Sequence, residues 1–290
     1  MNILVTGAYG QLGREIRELS NLYPTHKFFF TDVDSLDITS ETAVQKYFKK
    51  NNPDFVINCA AYTAVDKAEN DAESARLINA VAPGFLAKAA RNSGAGMIHI
   101  STDYVFNGDS FLPYTENSPV KPAGVYGKTK EEGEARARQE NPGTLIIRTS
   151  WLYSSFGNNF VKTMLKLGQE RETLKVVFDQ VGTPTYAGDL AGAVLQIAET
   201  YQKEKGRFVP GIYHYSNEGV GSWYDFARAV FELAGLNCKV LPVTSDEFPT
   251  AARRPHYSVL NKSKIKTTFN LEIPYWKDSL KICIKKLQKN

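Results

Sequence analysis

Tyr126 and Lys130 lie four residues apart in the stretch Tyr126-Gly127-Lys128-Thr129-Lys130. On a helix, side chains at that spacing share one face and sit one turn from each other. An ammonium beside a phenol favours the phenolate, so the spacing predicts a tyrosine pKa drawn down from about 10. A tyrosine tuned that way gives a proton to a carbonyl oxygen or takes one from an alcohol. Spacing alone discriminates poorly, because Tyr23/Lys27 and Tyr201/Lys205 match it too, and both pairs read most simply as surface. Tyr126 is set apart by its flanks. The apolar run Met97-Ile98-His99-Ile100 leads into Ser101-Thr102-Asp103-Tyr104 upstream, and a second apolar run, Leu145-Ile146-Ile147-Arg148, follows downstream.

Those residues need a scaffold, and the N-terminal stretch predicts one. Ile3-Leu4-Val5 reads as a short strand running into Gly7-Ala8-Tyr9-Gly10-Gln11-Leu12-Gly13, and Leu12, Ile16 and Leu19 then repeat with helical period. Between a strand and a helix, Gly7 suits a tight turn, Gly10 a close approach to a pyrophosphate, and Gly13 tight helix packing. The helix N-terminus adds free N–H groups and partial positive charge for phosphates. The plainer alternative is a glycine-rich turn. A second strand from Lys27 to Thr31 ends at Asp32, placed to accept hydrogen bonds from adenosine ribose hydroxyls and to repel a 2′-phosphate. Taken alone, Asp32 favours NADH over NADPH. Asp37 and Ile38 are candidates to flank the adenine, while Asp37 or Thr39 is also placed to cap a helix over residues 40–50. A third strand, Asp54 to Asn58, leads into Cys59-Ala60-Ala61-Tyr62-Thr63, where small residues let a cofactor pass; Cys59 itself reads as a small buried apolar residue. The pattern from Asp66 to Ser93 predicts one helix with Asn79 in its middle.

Strand and helix alternate through the first 150 residues and the rhythm loosens beyond about residue 170. This predicts an α/β, Rossmann-like, doubly wound parallel sheet with a smaller C-terminal substrate-binding cap. Residues 1–150 would form the dinucleotide-binding unit, later segments would complete its sheet, and residues 151–290 would be mainly substrate-binding. Charged residues make up 23% and apolar residues 42%, with a net charge of +4, as in an ordinary globular protein. No basic block argues for nucleic acid, and no run approaches the roughly 18 apolar residues of a membrane span. Cys59, Cys238 and Cys283 are sparse and lack metal-ligand spacing, which suggests free thiols in a reducing compartment. With a strand at the very start in place of a signal sequence, the expectation is a cytoplasmic protein.

Several motifs make the comparison sharper: Ser101-Thr102-Asp103-Tyr104-Val105-Phe106, Tyr126 to Lys130, Arg148-Thr149-Ser150-Trp151, Gly157-Asn158-Asn159-Phe160, Asp179 to Thr185 and Arg254-Pro255. With Gly7–Gly13 and residues 60–69, they make the chain resemble, almost end to end, the dTDP-4-dehydrorhamnose reductase family of extended short-chain reductases. The resemblance implies hydride transfer from NADPH or NADH to C4 of dTDP-4-dehydro-6-deoxy-L-mannose, within the synthesis of dTDP-rhamnose and cell-surface polysaccharide. It implies that Tyr126 donates the proton, Lys130 tunes Tyr126 and holds the nicotinamide ribose, and Thr102 bonds the keto oxygen. Asp103 would lie in the sugar pocket, Trp151 either against the deoxysugar or in the core, and Tyr104 in either place. Arg254 would grip the diphosphate, as a guanidinium can do bidentately. Gly10, Gln11, Leu12, Asp32, Asp37, Ile38, Ala61, Tyr62 and Thr63 match coenzyme-contacting positions. No metal is implied for the chemistry. The family often prefers NADPH, against which Asp32 stands, so the coenzyme stays open. Some members dimerise around magnesium held by acids; Glu15 matches, but Asp189 replaces a glutamate and the tail 285–290 is basic, leaving a homodimer open. Two other functions fit: a reductase giving the C4 epimer, 6-deoxy-talose, or a non-catalytic regulatory subunit such as the partner of methionine adenosyltransferase.

Overall fold

A computed structural model describes residues 1–203 and 208–289. Its first half alternates β1 (Asn2–Thr6), α1 (Gln11–Leu19), β2 (Lys27–Thr31), α2 (Glu41–Asn51) and β3 (Phe55–Asn58). Then come α3 (Val65–Ala68), α4 (Ala72–Arg76), α5 (Ala82–Ser93), β4 (Gly96–Thr102), α6 (Val125–Glu140) and β5 (Thr144–Thr149). The second half holds β6 (Leu152–Tyr153), α7 (Phe160–Glu170), β7 (Thr173–Val177), β8 (Val181–Gly182), β9 (Thr185–Tyr186) and α8 (Ala187–Lys203). It ends with β10 (Gly211–His214), β11 (Gly221–Ser222), α9 (Trp223–Ala234), β12 (Lys239–Val243), α10 (Ser263–Phe269) and α11 (Trp276–Lys289).

Six strands form one parallel sheet in the order β10-β5-β4-β3-β1-β2. The chain winds outward from β1 to β2, then crosses back to β3, which makes the β1/β3 boundary the switch point where ligands enter such sheets. Strands buried on both faces read as continuous apolar runs, and β3 and β5 are buried along their whole lengths. On one face, Ile3, Val5, Ile57 and Ile147 pack on α1 and α8. On the other, Leu4, Val56 and Met97 pack on α2, α5 and Ala137 of α6. A separate core under α7, α9 and α11 gathers Tyr153, Met164, Phe226 and Trp276 into the smaller second layer. The α/β doubly wound class is therefore the observed one. No described helix is long and apolar enough to cross a membrane.

Two local expectations change. The helical stretch over residues 66–93 is interrupted only at residues 69–71, between α3 and α4; from Ala72 to Ser93 it runs on without a break, with a wide π turn at Leu77–Val81 joining α4 to α5 and Pro83 in the first turn of α5. The buried Asn79 side chain explains the wide turn: it accepts from Tyr62 N at 2.8 Å and donates to Tyr62 O at 3.1 Å and Thr129 Oγ1 at 3.2 Å. The cap of α2 is neither Asp37 nor Thr39 but Ser40, whose side chain accepts from Ala43 N. Such a cap contributes about 1 kcal/mol. Asp37 instead folds its own loop, accepting from Thr39 N and Oγ1.

Candidate active site

The cavity at the switch point has a volume of about 810 Å³ and runs from the glycine loop to the Tyr126 helix. Its upper end is built on β1. Gly7 has φ +67°, and a Cβ there would lie 2.6 Å from Ala60 N, so only glycine fits. Gly13 packs equally tightly, with a would-be Cβ 2.4 Å from Gly7 O. Gly10 is the N-cap of α1 and carries no side chain to close off the free N–H groups of that helix. A bare helix N-terminus behind a strand suits the pyrophosphate of a dinucleotide. Asp32 lines the same end, its Oδ2 accepting from Tyr9 N at 2.8 Å and its Oδ1 from Val33 N at 2.9 Å. The carboxylate therefore orders the glycine loop as well as facing the cavity. Gln11, Leu12, Asp37, Ile38, Ala61 and Thr63 also line it.

The lower end is built on β4, β5 and α6. Thr102, Asp103, Tyr104, Tyr126, Lys130 and Trp151 all face this cavity. The register is tight: Thr102 lies beside Tyr126, and Lys130 Nζ donates to Ile100 O at 2.7 Å. Here the expected electrostatics are corrected. Burial pushes the Tyr126 phenol well above its usual value; the Thr102 hydroxyl opposes that rise, while Asp103 and Tyr104 add to it. One of the three N–H groups of the Lys130 ammonium goes to the Ile100 carbonyl, and burial lowers the Lys130 pKa to about 8 despite the charge of Glu134. The loss of water around the phenol outweighs the cation one turn away. Burial raises Asp103 to about 7, with the Thr102 hydroxyl, donating to Oδ1 at 2.9 Å, pulling the other way. Its Oδ2 is buried without a hydrogen-bond partner.

Trp151 stands between the cavity and the second core. It lines the cavity, and its indole stacks on Trp223 at a centroid distance of 3.7 Å and 11° between planes. Its φ of +47° puts a bulky residue in the left-handed region, a strained geometry held by that stack. Tyr104 does likewise, lining the cavity while meeting Tyr126 edge-on at 5.4 Å. Two predicted residues stand apart from the cavity wall. Tyr62 turns towards α4, its hydroxyl donating to Asp71 at 3.0 Å. Arg254 is paired with Asp66 at 2.7 Å, and its Nη1 donates to the Tyr104 hydroxyl at 3.3 Å. Each had a charged partner that spacing does not reveal. The wall also takes in Val65, Ile78 and Thr149–Trp151, of which the first two are apolar and carry no chemical signal in sequence.

Of the other two Tyr/Lys spacings, Tyr23/Lys27 is not a helical pair, and Tyr201 lies on α8. Tyr23 follows a short 3₁₀ turn and Lys27 begins β2, while the Tyr201 hydroxyl donates to Gly94 O and Lys205 lies outside the described residues. Glu15 is buried, accepting from Ser154 Oγ at 2.6 Å and lying 3.4 Å from Lys286 Nζ. Asp189 accepts from Asn217 and Ser279. Among the described residues no cluster of three or more acidic, histidine or cysteine side chains is placed to hold a metal ion.

A parallel Rossmann sheet, a glycine-loop helix at its switch point and a Thr–Tyr–Lys set on the facing wall define a short-chain dehydrogenase/reductase, an oxidoreductase class. The particular branch follows from comparison: the family model for the RmlD substrate binding domain matches residues 1–289, and the chain belongs to that family. It is 41% identical over 287 residues to the dTDP-4-dehydrorhamnose reductase of Aggregatibacter actinomycetemcomitans, spanning 96% of this chain and 97% of that one. A solved dTDP-4-dehydrorhamnose reductase of Clostridium acetobutylicum is 47% identical with TM-score 0.94, covering 99% of this chain and all of its own. That of Bacillus anthracis, in complex with NADP, is 39% identical with TM-score 0.93, covering 98% and 99%.

Proposed function

We propose that the protein is a dTDP-4-dehydrorhamnose reductase, reducing the C4 keto group of dTDP-4-dehydro-β-L-rhamnose to give dTDP-L-rhamnose for polysaccharide synthesis. The observation that carries this reading is the set Thr102, Tyr126 and Lys130 on one wall of a cavity whose other end is a glycine-loop helix. Bound NADPH or NADH supplies the hydride. The residues proposed to hold it are Gly7, Gly10 to Gly13, Asp32, Asp37, Ile38, Ala61 and Thr63. Thr102, turning its one hydroxyl proton from Asp103 to the substrate, donates to the keto oxygen. Tyr126 then gives its proton to that oxygen as C4 becomes tetrahedral, and a phenol held neutral by burial is in the right state to do so. Lys130, on the same helix face, stabilises the phenolate that remains.

In this reading residues 1–150 bind the dinucleotide and residues 151–290 mainly the sugar, with Trp151 packing on the deoxysugar and Asp103 and Tyr104 beside it. Arg254 reaches the diphosphate only by leaving Asp66. The enzyme works in the cytoplasm, where its three free cysteines stay reduced. Every reacting side chain comes from one chain, so a homodimer is compatible with the reading but not required by it.

The test is direct. The protein is incubated with dTDP-4-dehydro-6-deoxy-L-mannose and either NADH or NADPH, and the product is assigned by NMR. Coenzyme oxidation with formation of the rhamnose product supports the reading. The 6-deoxy-talose product would replace it with the epimer-forming activity, and coenzyme binding without turnover would replace it with the regulatory one. Because Asp32 faces the cavity, NADH should serve at least comparably to NADPH; a preference of a hundredfold for NADPH would show Asp32 misplaced.

A further inference from the structure

Glu134 lies one turn beyond Lys130 on α6, on the same face as Tyr126 and Lys130, and is only 3% exposed. Its Oε1 accepts from Ser101 Oγ at 2.5 Å and from Arg148 Nε at 2.9 Å, and its Oε2 from Arg148 Nη2 at 2.6 Å. Arg148 is itself buried, packs over the Phe106 ring at 5.1 Å, and has an Nη1 without a partner. Three consecutive residues of β4 thus meet three turns of α6: Ile100 meets Lys130, Ser101 meets Glu134, and Thr102 meets Tyr126. No apolar contact fixes register this sharply, because a bidentate guanidinium–carboxylate pair is specific in both distance and plane. Buried ion pairs contribute little net stability against apolar packing. A buried pair at this point therefore serves placement and charge better than it serves stability.

We infer that Glu134, clamped by Arg148 and Ser101, is the positioning residue that sets where Lys130 stands and how readily it stays charged during turnover. The inference rests on the reading of Tyr126 and Lys130 as the reacting pair. Lys130 lies one turn from both Tyr126 and Glu134 on α6, and is met by Glu134, by Cys59 just after β3, and by His99 and the Ile100 carbonyl from β4. Glu134 holds the Lys130 pKa up against burial, while Cys59, its thiol pushed up to about 12, stays neutral beside it. His99 is kept neutral, its pKa driven well below the usual imidazole range by burial and by Lys130 itself.

The test is Glu134→Gln, which keeps the shape and deletes the charge. Turnover should fall by about tenfold or more with both KM values within about threefold of wild type, the pattern of a group acting on the chemical step. The alkaline limb of the kcat profile should move to lower pH, since the anion that supports the ammonium is gone. Where that variant fails to fold because Arg148 is left unpaired, Glu134→Gln with Arg148→Met removes both buried charges and carries the same readouts. The Lys130 titration is also followed by ¹⁵N NMR of its ammonium in wild type and variant. That signal reports on the clamp even if no sugar is turned over, an outcome that would sink the proposed substrate and not this inference. A Lys130 titration and pH limb unmoved by the substitution would overturn it, whether or not kcat falls.

Discussion

At the scale of the residue, the site works by desolvation. Tyr126 is kept protonated by burial, and in the proposed mechanism the oxygen forming at C4 draws that proton away. Tyr126→Phe retains the ring and its edge contact with Tyr104 but deletes the donor. Its kcat should fall on the order of 10²-fold or more while coenzyme affinity, followed by fluorescence titration, stays at the wild-type value. Asp103 carries a second consequence of burial. Its pKa stands near 7 in the folded protein against 3.8 as a free group. Between those values the folded state holds a proton that the unfolded state has released, so stability falls as pH rises through that window. Asp103→Asn cannot titrate; the Tm should lose that part of its decline between pH 4 and pH 7, which differential scanning calorimetry would measure. An unchanged slope would place Asp103 in water. That Thr102, Asp103, Tyr126 and Lys130 line one cavity was legible in sequence from a hydroxyl and a carboxylate at the end of an apolar strand and from the phenol–amine spacing of a helix. Their protonation states were not, because helical spacing tells which side chains share a face but not that Lys130 bonds the carbonyl of Ile100.

At the scale of the element, strands were the most legible parts and the turns between them the least. Apolar runs flagged β1, β3, β4 and β5, since strands covered on both faces have no reason to alternate. The π turn at Leu77–Val81 carries no signal in sequence because the hydrogen bonds of Asn79 there are tertiary, to Tyr62 and Thr129. Asp71, at the interruption between α3 and α4, takes the hydrogen bond of the Tyr62 hydroxyl. Trp151 shows the equivalent limit between elements, since its partner Trp223 comes from the start of α9, far along the chain. A stack of that kind contributes about 0.5–1.5 kcal/mol beyond the area it covers. Trp151→Ala should therefore do two things. It should raise KM for the dTDP-sugar by about tenfold with coenzyme affinity nearly unchanged. It should also lower Tm by only a few degrees, roughly what the lost stack predicts for a chain of this size. Unfolding of the variant would assign Trp151 to the core alone.

At the scale of the whole molecule, the sheet is assembled out of chain order. Its edge strand β10 comes from residues 211–214, long after β5, and pairs with it through Gly211–Leu145 to His214–Arg148. During synthesis the β5 edge has no partner until those residues leave the ribosome, although Leu145, Ile146 and Ile147 end up with no exposure at all. An apolar strand with an open edge is a template for pairing with other chains. A chain stopped after residue 203 has every proposed reacting side chain and the entire glycine loop, yet its sheet stops at β5 with the bonds of β10 unmade. Such a fragment should be recovered as aggregate, and a soluble, coenzyme-binding fragment would refute this. For the nascent protein the vulnerable interval is the time needed to make the stretch between Thr149 and His214, so chaperone dependence should track the rate of elongation through that stretch.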